Sequence, residues 1–423
     1  MSGGYLKTKM ICARHTIFFS NPKVSSAALL EPHYLKTVER VAACDCKYIL
    51  AIQDDTLLNY TSHKAKTEIG RIGKTKNTEQ YGLVQHSTLL VTDKNEPLGL
   101  IDLQHFHNDD LDPDTEKRRN GNIEDKRSWC WIEALMNTSQ KLKGQNKKII
   151  TVADRESDIF EFMHELGTQN HSFVIRAKHN RYTGETYRKR LDRLFDLIEK
   201  QTVFGEMRVT INDATTHKIK EINLKLKVLE RIEIPRPEDS KSRKNNADYH
   251  PVFINVIKAY DDIHSWTLLT DLPVNTFEAC REIIDIYKSR WHIEDYHKIL
   301  KTGYQIDELY LHSSRQAIEN ALVMASISAV RLYWMIYVGR VEKDLKANQI
   351  FEEYEWKAVY VYFKEKIPAE APPLAEIIIK IARMGGYKVN KHAEQPGIKT
   401  MWLGFQAFGI AAEMLKNFMS TKT

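Results

Sequence analysis

Apolar and polar positions alternate in blocks that predict most of the elements. Leu29, Leu30, Tyr34, Val38 and Val41 recur at helical intervals within residues 26–43, and Ser25 just before them suits an N-cap. Short apolar runs at residues 48–52 and 148–153 read as buried strands, and Asp54 and Asp154 follow them. Further strands are expected at residues 86–92 and 98–103, across a turn, and at 172–176 and 266–270. Residues 107–127 are dense in charge and turn formers and read as a mobile surface loop. Helical patterns cover residues 128–143, the stretch from Asp158 to Leu166, a segment from Thr276 to Gly303, and 317–338. Strands alternating with helices predict a mixed α/β sheet. Period-two alternation over about residues 202–262, as in Ile222 to Leu229, predicts an antiparallel β insertion. Past Gly339 the pattern is amphipathic and helical, with a Pro-rich break at 367–373, and predicts a C-terminal helical subdomain.

Composition narrows the class without fixing it. A chain of 423 residues, 42% hydrophobic and 28% charged, has the length of two or three domains. A net charge of +6 permits a polyanionic partner but does not demand one. The five cysteines, Cys12, Cys44, Cys46, Cys130 and Cys280, are odd in number and lack a framework spacing, so they read as structural thiols of a reducing compartment. No apolar run is taken to approach the roughly 18 residues that span a bilayer, and no signal peptide is evident. A cytoplasmic protein without a membrane partner is therefore expected.

The segment from Ile283 to Gly303 carries the densest chemistry. Tyr287, Arg290, Glu294 and Lys301 fall at offsets of 0, 3, 7 and 14, which on a straight helix puts them on one stripe. A carboxylate flanked by cations fits a metal-bound phosphate; the same stripe also fits a solvated face laced with ion pairs. Commoner motifs fail. Gly70-Arg71-Ile72-Gly73-Lys74-Thr75 resembles a phosphate loop, but Glu68 stands where that loop needs its first glycine. His292-Ile293-Glu294 lacks the Pro-Cys-x-x-Cys of a deaminase, and neither His-Glu-x-x-His nor Gly-x-Ser-x-Gly occurs. Two strand-end aspartates and a helical glutamate have the composition of a two-metal phosphoryl-transfer centre, since Mg²⁺ prefers hard oxygen ligands. Turn chemistry alone also favours Asp at a strand end, so spacing leaves both readings open.

Tyr287-x2-Arg290-x3-Glu294-x6-Lys301 resembles, in residue type and interval, the YREK signature of bacterial DDE transposases of the insertion-sequence-four superfamily. Residues 50–56, 152–159 and 173–179 are similar to segments of that family, and the likeness runs from about Phe18 to the C-terminus. The resemblance implies an RNase H-like mixed sheet with helices, interrupted by the β insertion. It implies Asp54, Asp154 and Glu294 as catalytic ligands of two Mg²⁺ ions, for which Mn²⁺ can substitute. Arg290 and Lys301 would hold phosphates with help from Tyr287, Trp266 would stack a flipped base, and Arg176 and Lys178 would approach the transposon end. His297 and Lys298 would extend the basic helical surface, with Trp291 packed beneath the stripe. Implied partners are double-stranded DNA, as transposon ends and target, and a second copy in a homodimer on DNA, with nucleoid association when bound. The expected organisation is a remnant end-recognition domain and linker helix at 1–43, a catalytic domain at 44–340 and a dimerisation subdomain at 341–423. Two alternatives are a transposition-defective chain, shortened at its front, that inhibits through mixed dimers, and a general RNase H-like nuclease.

Overall fold

The computed structural model describes residues 18–62, 68–76, 78–110, 122–184, 192–212, 219–236, 249–303, 314–341, 345–388 and 396–421. The first seventeen residues, on which part of the expected N-terminal remnant falls, lie outside these. Helix α1 (Ser26–Ala43) starts at Ser25, whose side chain accepts the Ala28 N–H at 3.2 Å. Strands β1 (Tyr48–Asn59), β2 (Gly70–Thr75), β3 (Thr78–Thr92) and β4 (Pro97–Phe106) follow. Next come α2 (Trp129–Lys141), β5 (Lys148–Ala153), α3 (Phe160–Thr168), β6 (Ser172–Arg176) and α4 (Leu194–Lys200). The expected insertion consists of β7 (Gly205–Asn212), β8 (Ile219–Ile234) and β9 (Val252–Tyr260), and β10 (Ser265–Thr270) closes the sheet.

These strands form one ten-stranded mixed sheet in the order β2-β3-β1-β5-β6-β10-β9-β8-β7, with β4 paired to β3. Among the described residues, only the β1–β5 and β5–β6 pairings are parallel. The insertion therefore lengthens the central sheet by antiparallel addition instead of forming a separate layer. In β1 the run from Ile49 to Gln53 is buried on both faces, which is why it reads as continuous apolar sequence rather than as alternation.

Several boundaries differ from the sequence reading. Strand β1 continues to Asn59, so Asp54 lies within a strand and not after it. Strand β3 begins at Thr78, and the failed phosphate loop at Gly70–Thr75 is an edge strand against it. Of the loop expected at 107–127, residues 108–110 and 123–125 form 3-10 turns, and 111–121 lie outside the described residues.

Helices cover both sides of the sheet. Helices α2, α3 and α4 lie with one core on one face. On the other, α5 (Phe277–Lys288), α6 (Trp291–Lys298) and α7 (Arg315–Val341) pack into a larger core. The residues of α7 from Arg315 to Gly339 are long and apolar enough to cross a bilayer, which corrects the expectation that no such run exists. This is a core helix, with 61% of its apolar window buried in the protein.

A mostly helical C-terminal region made of α8 (Glu353–Phe363), α9 (Leu374–Met384) and α10 (Ile398–Ser420) packs on α7. Helices α9 and α10 cross backbone to backbone. A Cβ on Gly404 would lie 1.9 Å from the Ile381 carbonyl oxygen, and one on Gly385 2.0 Å from that of Thr400.

Candidate active site

The site is assembled where the parallel pairing of β1 and β5 ends. Gln53 of β1 is opposite Ala153 of β5, so the next residues, Asp54 still within β1 and Asp154 just past the end of β5, lie side by side, about 5 Å apart in backbone. Asp154 caps a 3-10 turn, its Oδ1 accepting the Glu156 N–H at 2.7 Å. Asp54 Oδ1 accepts the Asp55 N–H at 2.9 Å. Its Oδ2 pairs with Arg290 at 3.0 Å, and the same guanidinium bonds Glu294. One arginine thus joins a strand carboxylate to a helical one 240 residues later, while Asp154 acts on Asp54 through its charge.

The segment carrying Arg290 and Glu294 is not one straight helix. Helix α5 stops at Lys288 and α6 starts at Trp291, followed by a π turn at Ile299–Gly303. At the break the Ser289 hydroxyl lies 3.2 Å from the Asp285 carbonyl and donates at 2.7 Å to Asn95, which sits in the β3–β4 turn with φ of 67°. Asn95 also meets His292 at 3.0 Å. The helical hydrogen bonding is therefore interrupted, while Ser289, Arg290 and Ile299 keep a right-handed helical backbone and Arg290 stays beside the Tyr287 ring. Arg290 and Glu294 still meet, four residues apart, across the helix junction.

Burial is the largest influence on Asp54 and, with the Asp154 charge, pushes its carboxyl up to about 7 in spite of Arg290. Two adjacent carboxylates and a third nearby, served by one guanidinium, leave negative charge that a divalent cation would neutralise. Their hard oxygen donors suit Mg²⁺, so the donor set fits such an ion. Tyr287 is buried, with the Arg290 guanidinium 6.0 Å from its ring and Trp266 of β10 6.5 Å away, half-buried against the same core. Arg176, at the end of β6, donates to the Ser265 carbonyl at 3.3 Å. Lys178 is exposed.

The loop carrying Lys178 is held by a residue the sequence reading left without a role. Asp158, itself buried, accepts the N–H groups of Lys178 and His179 at 2.7 and 2.8 Å and pairs with Arg181 at 2.6 Å. Not all the other candidates share one surface. Lys298 is exposed and Lys301 half-buried, but His297 is buried, faces Ser87 at 3.4 Å and is driven down to about 3 by burial, so it is neutral. It does not extend a basic face. Trp291, expected beneath the stripe, is 59% exposed.

Two family models match this chain. Transposase DDE domain covers residues 120–330, and Transposase Tn5 dimerisation domain covers residues 327–421. The first match includes Asp154, β6, the insertion, α5 and α6; the second takes in the C-terminal half of α7 and the helices after it. Such a domain acts on DNA with the help of divalent metal, and the second domain is one that pairs subunits. The matches jointly run from residue 120 to 421 and support a DDE transposase family for this chain.

Proposed function

We propose that this transposase is of the cut-and-paste, hairpin-forming kind in the insertion-sequence-four superfamily, with an RNase H-like core and Asp54, Asp154 and Glu294 as ligands of Mg²⁺. The observation that carries the reading is the meeting of Asp54 and Asp154 where the parallel pairing of β1 and β5 ends, with Arg290 bridging Asp54 to Glu294. When bound, two divalent ions would supply a nucleophile near neutral pH and neutralise the leaving oxygen.

The chain's own groups do the rest. Arg290 sets the orientation of both carboxylates and presents N–H donors to a phosphate, and Lys301 adds a second cation from the π turn. Tyr287, packed between Arg290 and Trp266, fixes the rim against which a displaced base would stack, an interaction contributing roughly 1–3 kcal/mol. Arg176, Lys178 and Lys298 supply cations for the phosphates of double-stranded transposon ends and target. A homodimer on DNA, joined through the C-terminal helices, is the working form.

The test is nicking of a labelled DNA end with Mg²⁺ or Mn²⁺ by the wild-type chain and by Asp154→Asn. Loss of product with DNA binding retained is expected. Equal product from both proteins would remove the ligand role.

A further inference from the structure

We propose that Asp55, His86 and Cys130 form a second metal site, for a transition-metal ion of the zinc class, on the face of β1 opposite the carboxylates. Successive residues of a strand point to opposite faces, so Asp55 turns away from Arg290 and toward α2. His86 is its direct partner across the β1–β3 ladder, and Cys130 comes from the first turn of α2. One ligand atom from each of the three lies within 4.8 Å of the others.

The donors are a carboxylate oxygen, an imidazole nitrogen and a sulfur. Zinc and similar borderline metals take that set at about 2.0–2.3 Å, whereas Mg²⁺ holds to oxygen. The group is shielded: the His86 side chain is fully buried and that of Asp55 is 10% exposed. Arg127 holds Asp55 Oδ2 at 3.1 Å while Oδ1 stays 2.6 Å from His86 Nδ1, and the Trp131 ring packs edge-on to the imidazole at 4.7 Å. With His86 Nδ1 on Asp55, its buried Nε2 has no well-formed hydrogen bond among the described residues, and the Cys130 thiol is the group that interacts with the imidazole besides Asp55. On binding, the Cys130 thiol and the His86 imidazolium, which in spite of burial its neighbours Cys130 and Asp55 hold protonated, each release a proton to solvent, and the imidazole ligates through the nitrogen so freed, so that the Asp55 carboxylate and the Cys130 thiolate offset the charge of the ion. Three protein ligands leave a coordination position for water. Because the Asp55 N–H donates to Asp54, an ion here would stiffen the strand at the carboxylate site, yet its binding does not depend on what that site does.

The test uses the full chain stripped of metal and titrated with Co²⁺ alone. A near-ultraviolet sulfur-to-cobalt charge-transfer band should saturate at one ion per chain and vanish when Zn²⁺ is added. Cys130→Ser should abolish the band. Asp54→Asn should keep it, as should a double Cys44→Ser, Cys46→Ser variant, which removes the other neighbouring pair of sulfurs, 2.6 Å apart. Absence of the band in the wild type overturns the proposal, as does its survival in Cys130→Ser or its loss in either control. Should Cys130→Ser not fold, X-ray absorption on the zinc-loaded wild type decides: one sulfur in the coordination shell is expected, and none or two refutes the site.

Discussion

Asp54→Asn should make the metal-free protein more stable, and more so at high pH. The carboxyl is pushed from its ordinary 3.8 up to about 7, with burial the main cause and the Asp154 charge adding to it. A carboxyl with a raised pKa in the fold binds its proton more tightly there than in the unfolded chain. The resulting stabilisation is complete below about 3.8 and is lost as pH rises through about 7. At about 1.4 kcal/mol per unit, a rise of roughly three units means that the group costs the fold about 4 kcal/mol at pH 8, where it is ionised, and about 1–2 kcal/mol at pH 5, where the fold must hold a proton that the unfolded chain has released. The side chain is 16% exposed, so solvent screens little of this. Asparagine keeps the shape without the charge. Urea unfolding in the presence of EDTA should therefore show the variant ahead of wild type by about 2–4 kcal/mol at pH 8, with a clearly smaller margin at pH 5. Adding Mg²⁺ should close the gap by stabilising the wild type, because an ion bound only by the folded chain shifts the equilibrium toward it. A variant no more stable than wild type at pH 8, or a margin equal at both pH values, would refute the electrostatic account.

Arg290→Ala should cut DNA nicking by on the order of a hundredfold, because a charge-assisted clamp is lost; Arg290→Lys should restore only a small part, since an ammonium cannot reproduce the planar fork that bridges two carboxylates. Lys178→Ala should lower the slope of log affinity against log salt by about one, measured by DNA-binding titrations, as expected of one phosphate contact. His297→Asn should leave the pH dependence of DNA affinity between pH 5.5 and 8 unchanged, because the buried imidazole is already neutral there; a lost titration step would show that it carries charge. Gly404→Ala should destabilise the C-terminal helices by at least about 2 kcal/mol and weaken self-association in sedimentation experiments, since the methyl would force α9 from α10.

Local pattern carried much of the secondary structure. The bounds of α1 and β6 follow from a serine cap with a helical stripe and from a short apolar run, both encoded within a few residues. Failures came where a neighbour supplied the structure. Strand β2 has too little apolar character to be read alone and exists because β3 pairs with it; α5 ends at Ser289 because Asn95, nearly two hundred residues earlier, binds the Ser289 hydroxyl. His297 looked like surface because its charge type was legible but its burial was not.

By itself the sequence determined residue type, interval and the alternation of strands with helices, since these depend on periods of two and 3.6 along the chain. It held the spacing of Tyr287, Arg290, Glu294 and Lys301, through which a family likeness was visible. Only the tertiary structure decided that Asp54 and Asp154 lie side by side, that one guanidinium spans Asp54 and Glu294, and that Asp55 turns to His86 and Cys130 on the opposite face. Strand order and register are set by packing among segments a hundred or more residues apart, and no local periodicity records them.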